Sequence, residues 1–270
     1  EQLHSPATAG GQETRASNVS AKPRGQALRV LVLRHRSDPI AAYGGPVYTE
    51  SVVRLLVEGP MKAVLQELSF EAQPSRPVHL LRNLWAMLRA AVSPMPAKVL
   101  RFKSAGFERR LTALLARDDF DLVLVSGIER LWCRPLLQHR AALIDLSHNL
   151  EADLYRRQVN RLPRWLPFAR HDADALEVFE RREVNQVDAV IAISPRDEEV
   201  LGKLAAGIPM LSVPPTFSYE SWTGPQADLL AVAGRPIRLG FLGNLGGWPT
   251  QAAVDWFLTR VWPETPEHFE

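Results

Sequence analysis

The sequence predicts an α/β fold in which a parallel sheet carries helices on both faces. Short runs of aliphatic and β-branched residues recur along the chain, as in strands that are buried on both faces of a parallel sheet. Segments with helical periodicity separate these runs, and such alternation is typical of βαβ units. With 46% hydrophobic and 23% charged residues, the chain has the composition of a globular protein with a substantial core.

Six runs are expected to form strands, at 28–34, 121–125, 142–146, 188–193, 209–213 and 237–242. Helical patterns occur at 47–57, 79–92, 98–117, 150–160, 168–186 and 196–205. The first five strands and their crossover helices would complete one Rossmann-like domain. The sixth strand and a helix at about 250–261 would then begin a second unit of the same kind.

This organisation divides the chain into four segments. Residues 1–27 are rich in Gly, Ser, Ala and polar groups and lack the apolar region of a signal peptide, so we expect a disordered leader. Residues 28–213 would form the first Rossmann-like domain. Residues 214–236, rich in Pro, Gly and polar residues, would be a linker. Residues 237–270 would start a second domain that the chain does not complete.

Several classes of function find no support in the composition and motifs. A net charge of +2 does not indicate nucleic-acid binding. The single cysteine, Cys133, excludes an internal disulfide and has no spaced Cys or His partners for zinc. In the segment 171–174 (HDAD), His171 and Asp174 share one helix face while Asp172 does not, which favours a solvated helix face over a metal site. No P-loop or G-x-S-x-G motif is present.

Two glycine-containing loops follow predicted strands. Gly44 and Gly45 end the first loop, and Pro46 stands where a first helical turn favours proline. Backbone N–H groups at such a helix start suit a phosphate or sugar oxygen, and the alternative is a tight turn that needs positive φ. The second loop contains Gly243 and Asn244 but does not match G-x-G-x-x-G, which disfavours a nicotinamide enzyme.

His148 lies just past the predicted strand 142–146. In open α/β sheets ligands collect outside the carboxyl ends of the strands, so this histidine is a candidate site residue. The alternative is a histidine that satisfies loop carbonyls.

Two stretches are locally basic. Residues 78–117 contain eight Lys or Arg and one acid, and residues 154–170 contain five Arg and no acid, with aromatic residues between them. Such faces are typical of proteins that contact anionic lipid. The alternative is ordinary amphipathic helices whose arginines lie in water.

The order and spacing of these segments resemble bacterial family 4 glycosyltransferases, which have two Rossmann domains (GT-B type). The likeness is carried by VLVLRHRSDPIAAYGGP (30–46), FDLVLVSG (120–127), LIDLSHNLEADLYRR (143–157), FERREVNQVDAVIAISPRDEEVL (179–201) and IRLGFLGNLGGWPTQAAVDWFLTRVWP (237–263). The match covers roughly residues 28–263.

The resemblance implies transfer of a sugar, with retention of configuration, from a nucleotide-diphosphate sugar to a cell-envelope or exopolysaccharide acceptor, without metal or other cofactor. By position, Gly44 and Gly45 would lie near the donor phosphates and the transferred sugar. His148 would be the active-site histidine facing that sugar. Gly243 and Asn244 would lie near the diphosphate in the donor domain.

The same resemblance sets further expectations. The family's paired glutamates and basic pair, which bind the nucleotide sugar, would fall beyond residue 270, so we expect the chain as given to have little or no transferase activity. A cytoplasmic location, peripheral to the inner face of the plasma membrane, would suit the two basic stretches, and no nucleic-acid partner is expected. The alternative is a non-catalytic module of degenerate glycosyltransferase fold that binds a glycan, a lipid or a partner protein.

Overall fold

A computed structural model describes residues 27–35, 44–70, 76–137, 141–163, 167–216, 239–241, 243, 245 and 248–264. Six parallel strands form one sheet: β1 (Arg29–His35), β2 (Val64–Phe70), β3 (Leu122–Ser126), β4 (Ala142–Ser147), β5 (Ala189–Ala192) and β6 (Met210–Ser212). Their order across the sheet is β2-β1-β3-β4-β5-β6. The predicted α/β class with a Rossmann-like parallel sheet is therefore confirmed.

Nine α-helices occur in the described segments. They are α1 (Gly44–Glu58), α2 (Arg76–Ala90), α3 (Ala97–Leu100), α4 (Ala105–Arg117), α5 (Arg134–Leu137), α6 (Glu151–Val159), α7 (Pro167–Val184), α8 (Pro195–Leu204) and α9 (Trp248–Trp256). A 3₁₀ helix, Ile128–Cys133, follows β3. Beyond α9 the chain continues as a π-helical turn, Phe257–Val261, and a short 3₁₀ turn, Trp262–Glu264.

Strand β1 shows why its aliphatic run is continuous. Leu31 and Leu33 join the core on the face covered by α4 and α7, while Val30 and Val32 join the core on the face covered by α1. All four are 0% exposed. A strand buried on both faces needs apolar residues at every position, which is the pattern that predicted it.

Strand β2 was not predicted from the sequence. Its residues, VLQELSF, include polar side chains, and Val64 at its start is 58% exposed. Because β2 is an edge strand, only part of it is buried, so it lacks the apolar run on which the other predictions depended.

Two other boundaries were predicted wrongly. The expected helix 98–117 is divided into α3 and α4, because Ser104 accepts a hydrogen bond from the backbone N–H of Phe107 and caps a new helix there. The strand expected at 237–242 is absent from its described residues, 239–241, which are exposed and form no ladder with the sheet. Backbone groups of a strand need a neighbouring strand as partner. The helix expected at about 250–261 is present as α9 and its π-helical continuation.

Most of the predicted leader and linker lie outside the described residues. The start of the linker, 214–216, is described and is neither helical nor extended in a strand. The division into domains stays a prediction.

Candidate active site

The candidate site lies where the strand order reverses. The chain moves from β1 outward to β2 and, after β3, in the opposite direction to β4, so β1 and β3 flank the topological switch point. In open α/β sheets this crevice, outside the carboxyl ends of the strands, is the usual ligand position. Three features follow strands at this edge: α1 begins after β1, Gly127 follows β3, and His148 follows β4.

Gly45 and His148 are in direct contact at this edge. A Cβ atom added to Gly45 would lie 2.8 Å from Nδ1 and 3.2 Å from Cε1 of the His148 imidazole. Gly45 belongs to the first turn of α1 and does not have a positive φ, so the alternative of a tight left-handed turn is wrong for it. The glycine is needed because the imidazole occupies the space of a side chain. Gly44 begins the same helix.

Two hydroxyl groups hold the other side of the imidazole. Nε2 of His148 lies 3.0 Å from Oγ of Ser126, the last residue of β3, and 3.2 Å from Oγ1 of Thr49 in α1. The two hydroxyl oxygens are 2.8 Å apart, and the Thr49 hydroxyl donates to the carbonyl of Gly45 at 3.1 Å. The edge of the Tyr48 ring meets the imidazole at a centroid distance of 5.7 Å.

Counting hydrogens indicates the tautomer of His148. Four hydrogen-bonding contacts join this cluster, which consists of the carbonyl of Gly45, the hydroxyl groups of Thr49 and Ser126, and Nε2 of His148. The two hydroxyl groups supply only two hydrogens for these four contacts. A hydrogen on Nε2 supplies a third, so the Nε2–H form satisfies one contact more than the alternative. Nδ1, beside Gly45, is then the unprotonated nitrogen and can accept a hydrogen bond.

The imidazole is neutral at physiological pH. Burial lowers the pKa of His148 to about 4, and the nearby positive charge of Arg130 acts in the same direction, while Glu129 opposes it. His148 therefore enters the site as a neutral hydrogen-bonding group and not as a cation or a proton donor at pH 7.

The buried ion pair of Arg130 and Glu129 contacts the backbone of Ser126. Arg130, in the 3₁₀ helix, is 7% exposed, and its Nη1 donates both to the carbonyl of Ser126 and to Oε1 of Glu129. Its guanidinium lies 4.8 Å from the ring centre of Phe102. Gly127 has φ of 95°, which favours glycine, and a Cβ there would lie 2.5 Å from Nη1 of Arg130. Glycine is therefore required both by the backbone conformation and by the space that the guanidinium occupies.

Two carboxyl groups of this buried region, Asp145 and Glu129, have opposite pKa shifts. Asp145 of β4 is 1% exposed, and neither of its oxygens has a hydrogen-bond partner in the described part of the chain. Burial raises the pKa of Asp145 well above its ordinary value, and the charges of Glu129 and Glu180 add to the effect. For Glu129, burial acts upward, but Arg130 and Lys98 outweigh it and lower the pKa. The surroundings thus favour the protonated form of Asp145 and the ionised form of Glu129.

The segment that carries His148 is anchored at the start of α6. The Glu180 carboxylate, from α7, accepts hydrogen bonds from the backbone N–H groups of Glu151 and Ala152, at 2.9 and 3.3 Å. Lys98 of α3 donates to the side chain of Glu151. Burial raises the pKa of Glu180 to about 7, although these backbone bonds oppose the shift.

The other predicted site residues do not join this cluster in the described structure. A Cβ on Gly243 would meet only its own segment, at 2.9 Å from Phe241 and 3.2 Å from Thr250, and Asn244 lies outside the described residues. Cys133 is buried and its pKa is raised to about 12 by that burial, which makes it a poor nucleophile.

The 171–174 segment is only partly a solvated face. His171 and Asp174 are exposed as expected, but Asp172 is 1% exposed. Its carboxylate accepts from the backbone N–H of Ala97 at 2.6 Å and from the Tyr155 hydroxyl at 2.9 Å, so it caps α3. In the described residues there is no group of three or more His, Cys, Asp or Glu side chains able to hold a metal ion.

Sequence reasoning missed most of the residues that support His148. Asp145 left a visible signal, because it is the one acid within the aliphatic run ALIDL. Thr49, Ser126 and Arg130 left none, since hydroxyl groups and arginines are common at strand ends and in loops.

Comparison with known proteins does not assign a family. No protein-family model matches the chain, and no curated protein matches it. Function must therefore be inferred from the fold and from the geometry around His148.

Proposed function

We propose that the chain is the acceptor-side half of a retaining glycosyltransferase. In this proposal the Gly45–His148 site faces the sugar that passes from a nucleotide diphosphate to a cell-envelope or exopolysaccharide acceptor. The observation that carries it is the contact of Gly45 with His148 at the switch point, since the resemblance places both residues beside the transferred sugar.

The chemistry of such a transfer suits these groups. The acceptor hydroxyl oxygen bonds to the anomeric carbon as the bond from that carbon to the diphosphate breaks. Negative charge develops on the departing oxygen, and the hydroxyl proton leaves with the diphosphate. The N-terminal turn of α1 offers backbone N–H groups to that charge, and this turn contains no acidic side chain that would compete. A neutral imidazole with a free Nδ1 can accept a hydrogen bond from a sugar hydroxyl without adding positive charge beside the reacting carbon.

The remaining expectations become part of the same proposal. Gly243 and Asn244 would contact the donor diphosphate, no metal or other cofactor takes part, and the acceptor is a glycan or a lipid-linked glycan. The protein would act at the inner face of the plasma membrane.

Saturation-transfer NMR tests which part of a donor the chain binds. With a panel of nucleotide sugars, we expect weak binding in which the sugar protons receive more saturation than the base and ribose protons, because the site faces the sugar. Gly45→Ala should remove the effect.

A matched control is available in α8. A Cβ on Gly202 would lie no closer than 3.9 Å to any neighbour, so Gly202→Ala changes a helical glycine without a clash and should bind like the wild type. Tight binding of the bare nucleotide that survives Gly45→Ala would contradict the proposal and indicate an unrelated nucleotide-binding protein.

A further inference from the structure

Helix α2 exposes large apolar side chains along one face. Leu81, Leu84, Trp85, Leu88 and Val92 recur at spacings of three and four residues, so they follow one line along the helix and its C-terminal turn. Their exposed fractions are 67%, 55%, 55%, 63% and 88%. We call this set the outer stripe of α2. Contiguous exposed apolar surface of this kind marks an interaction site more often than a free surface.

The opposite face of α2 carries small residues. Ala86 and Ala90 are 1% and 4% exposed and pack with Ala97 and Leu100 in and around α3. An ordinary surface helix buries its large apolar residues and exposes polar ones. In the described part of α2, residues 81–90, large apolar side chains point outward and alanines point inward, so core packing does not account for the outer stripe.

The charge around the outer stripe is entirely positive in sequence. No acidic residue occurs between Arg76 and Phe107. Arg82 and Arg89, seven residues apart, flank the stripe on one side, and the Arg89 guanidinium lies 5.0 Å from the ring centre of Trp85. Arginine beside exposed tryptophan and leucine is the composition of helices that lie in the headgroup region of anionic bilayers.

The second basic stretch behaves differently. Arg156 forms salt bridges of 2.8 and 2.6 Å with Asp174 and Glu177, and Arg157 pairs with Asp153 at 2.8 Å. These arginines are already paired with carboxylates, whereas the stretch containing α2 combines positive charge with exposed apolar surface.

We propose that the outer stripe of α2 is a docking surface for an anionic lipid bilayer. Trp85, Leu84 and Leu88 enter the boundary between headgroups and acyl chains, and Arg82 and Arg89 contact lipid phosphates. A second copy of the chain is a poorer occupant, because a twofold contact through this face would bring the same arginines together. The inference stands on exposure and charge, and does not depend on what binds beside His148.

Vesicle co-sedimentation tests the docking surface. The chain should sediment with vesicles that contain phosphatidylglycerol and much less with phosphatidylcholine alone. Leu84→Ser together with Leu88→Ser should lower the partition coefficient at least about tenfold. Arg82→Gln together with Arg89→Gln should lower it about fivefold for each arginine at low salt. Brominated lipids should quench tryptophan fluorescence in the wild type and much less in Trp85→Phe.

The control is Val178→Ser, which removes a 67% exposed apolar side chain from α7. It should leave vesicle binding unchanged, and urea unfolding should show that every variant is folded. Absence of binding to anionic vesicles, or equal loss in Val178→Ser, would overturn the proposal. So would a concentration-dependent dimer that Leu84→Ser with Leu88→Ser dissociates, because that result assigns the outer stripe to a second copy.

Discussion

Replacing Gly45 by alanine tests the contact on which the site depends. The new Cβ would lie 2.8 Å from Nδ1 and 3.2 Å from Cε1 of His148, closer than carbon and nitrogen atoms normally approach. The imidazole must therefore shift, and a shift of even a few tenths of an ångström weakens its bonds to Ser126 and Thr49. Overpacking of this kind costs about 1–3 kcal/mol. Alanine in a helix recovers about 0.5–1 kcal/mol relative to glycine, so the expected net loss is about 1 kcal/mol.

Urea unfolding measures this loss against the Gly202→Ala control. That variant adds the same methyl group to a helix with its nearest new neighbour at 3.9 Å, and should gain about 0.5–1 kcal/mol. The two alanine variants should thus differ by about 2 kcal/mol in the free energy of unfolding. Equal stabilities, with unchanged imidazole signals in Gly45→Ala, would refute the reasoning.

Three further predictions concern the buried charges. The pKa of Glu180 is raised to about 7 from 4.5, so its contribution to stability is complete below pH 4.5 and is lost as the pH rises through 7. Urea unfolding measured at several pH values tests this. Glu180→Gln should remove up to roughly 3 kcal/mol of the pH dependence. A loss that Glu180→Gln leaves intact would contradict the assignment. Asp145→Asn should change the free energy of unfolding at pH 7 by less than about 1 kcal/mol, because burial and the neighbouring carboxylates favour the neutral form of the Asp145 carboxyl, which asparagine mimics. A loss above about 3 kcal/mol would contradict this reasoning. Arg130→Lys should cost about 2–4 kcal/mol in the same assay, because the lysine side chain is one atom shorter than the reach of Nη1 and lacks the planar guanidinium that lies over Phe102. A variant as stable as the wild type would contradict the supporting role of Arg130.

The sequence was informative where burial left a simple pattern. The strands β1, β3, β4 and β5 are apolar runs between polar loops, and all were predicted. The other edge strand, β6, was also predicted, because its segment PMLSV is apolar although Leu211 is 60% exposed. Strand β2 was not predicted because it is an edge strand that is only partly buried and contains polar residues.

The sequence made Gly45 and His148 candidate site residues, whereas their contact and the hydroxyl groups around the imidazole come from the structure. Gly45 and His148 each follow a strand, and the shared edge made both candidates. Their direct contact depends on the strand order, with β1, β3 and β4 adjacent, which periodicity alone does not give. The buried position of Arg130 depends in turn on the aromatic rings around it.

The membrane prediction was also sharpened by packing. Both basic stretches looked equivalent in sequence, and only side-chain exposure and ion pairing separate the outer stripe of α2 from the region of Arg156. None of the described helices is long and apolar enough to cross a bilayer.

Nitrogen-15 NMR of the His148 side chain tests the central claim most directly. The account predicts a neutral Nε2–H imidazole at pH 7 with a pKa near 4, and an Nδ1 signal that shifts when a nucleotide sugar is added but not in Gly45→Ala. Unfolding against pH should agree, with stability present above pH 6.5 and lost as the pH falls through 4. A His148 that titrates near 6.5, with an Nδ1 signal that does not shift when any nucleotide sugar is added, would contradict the account.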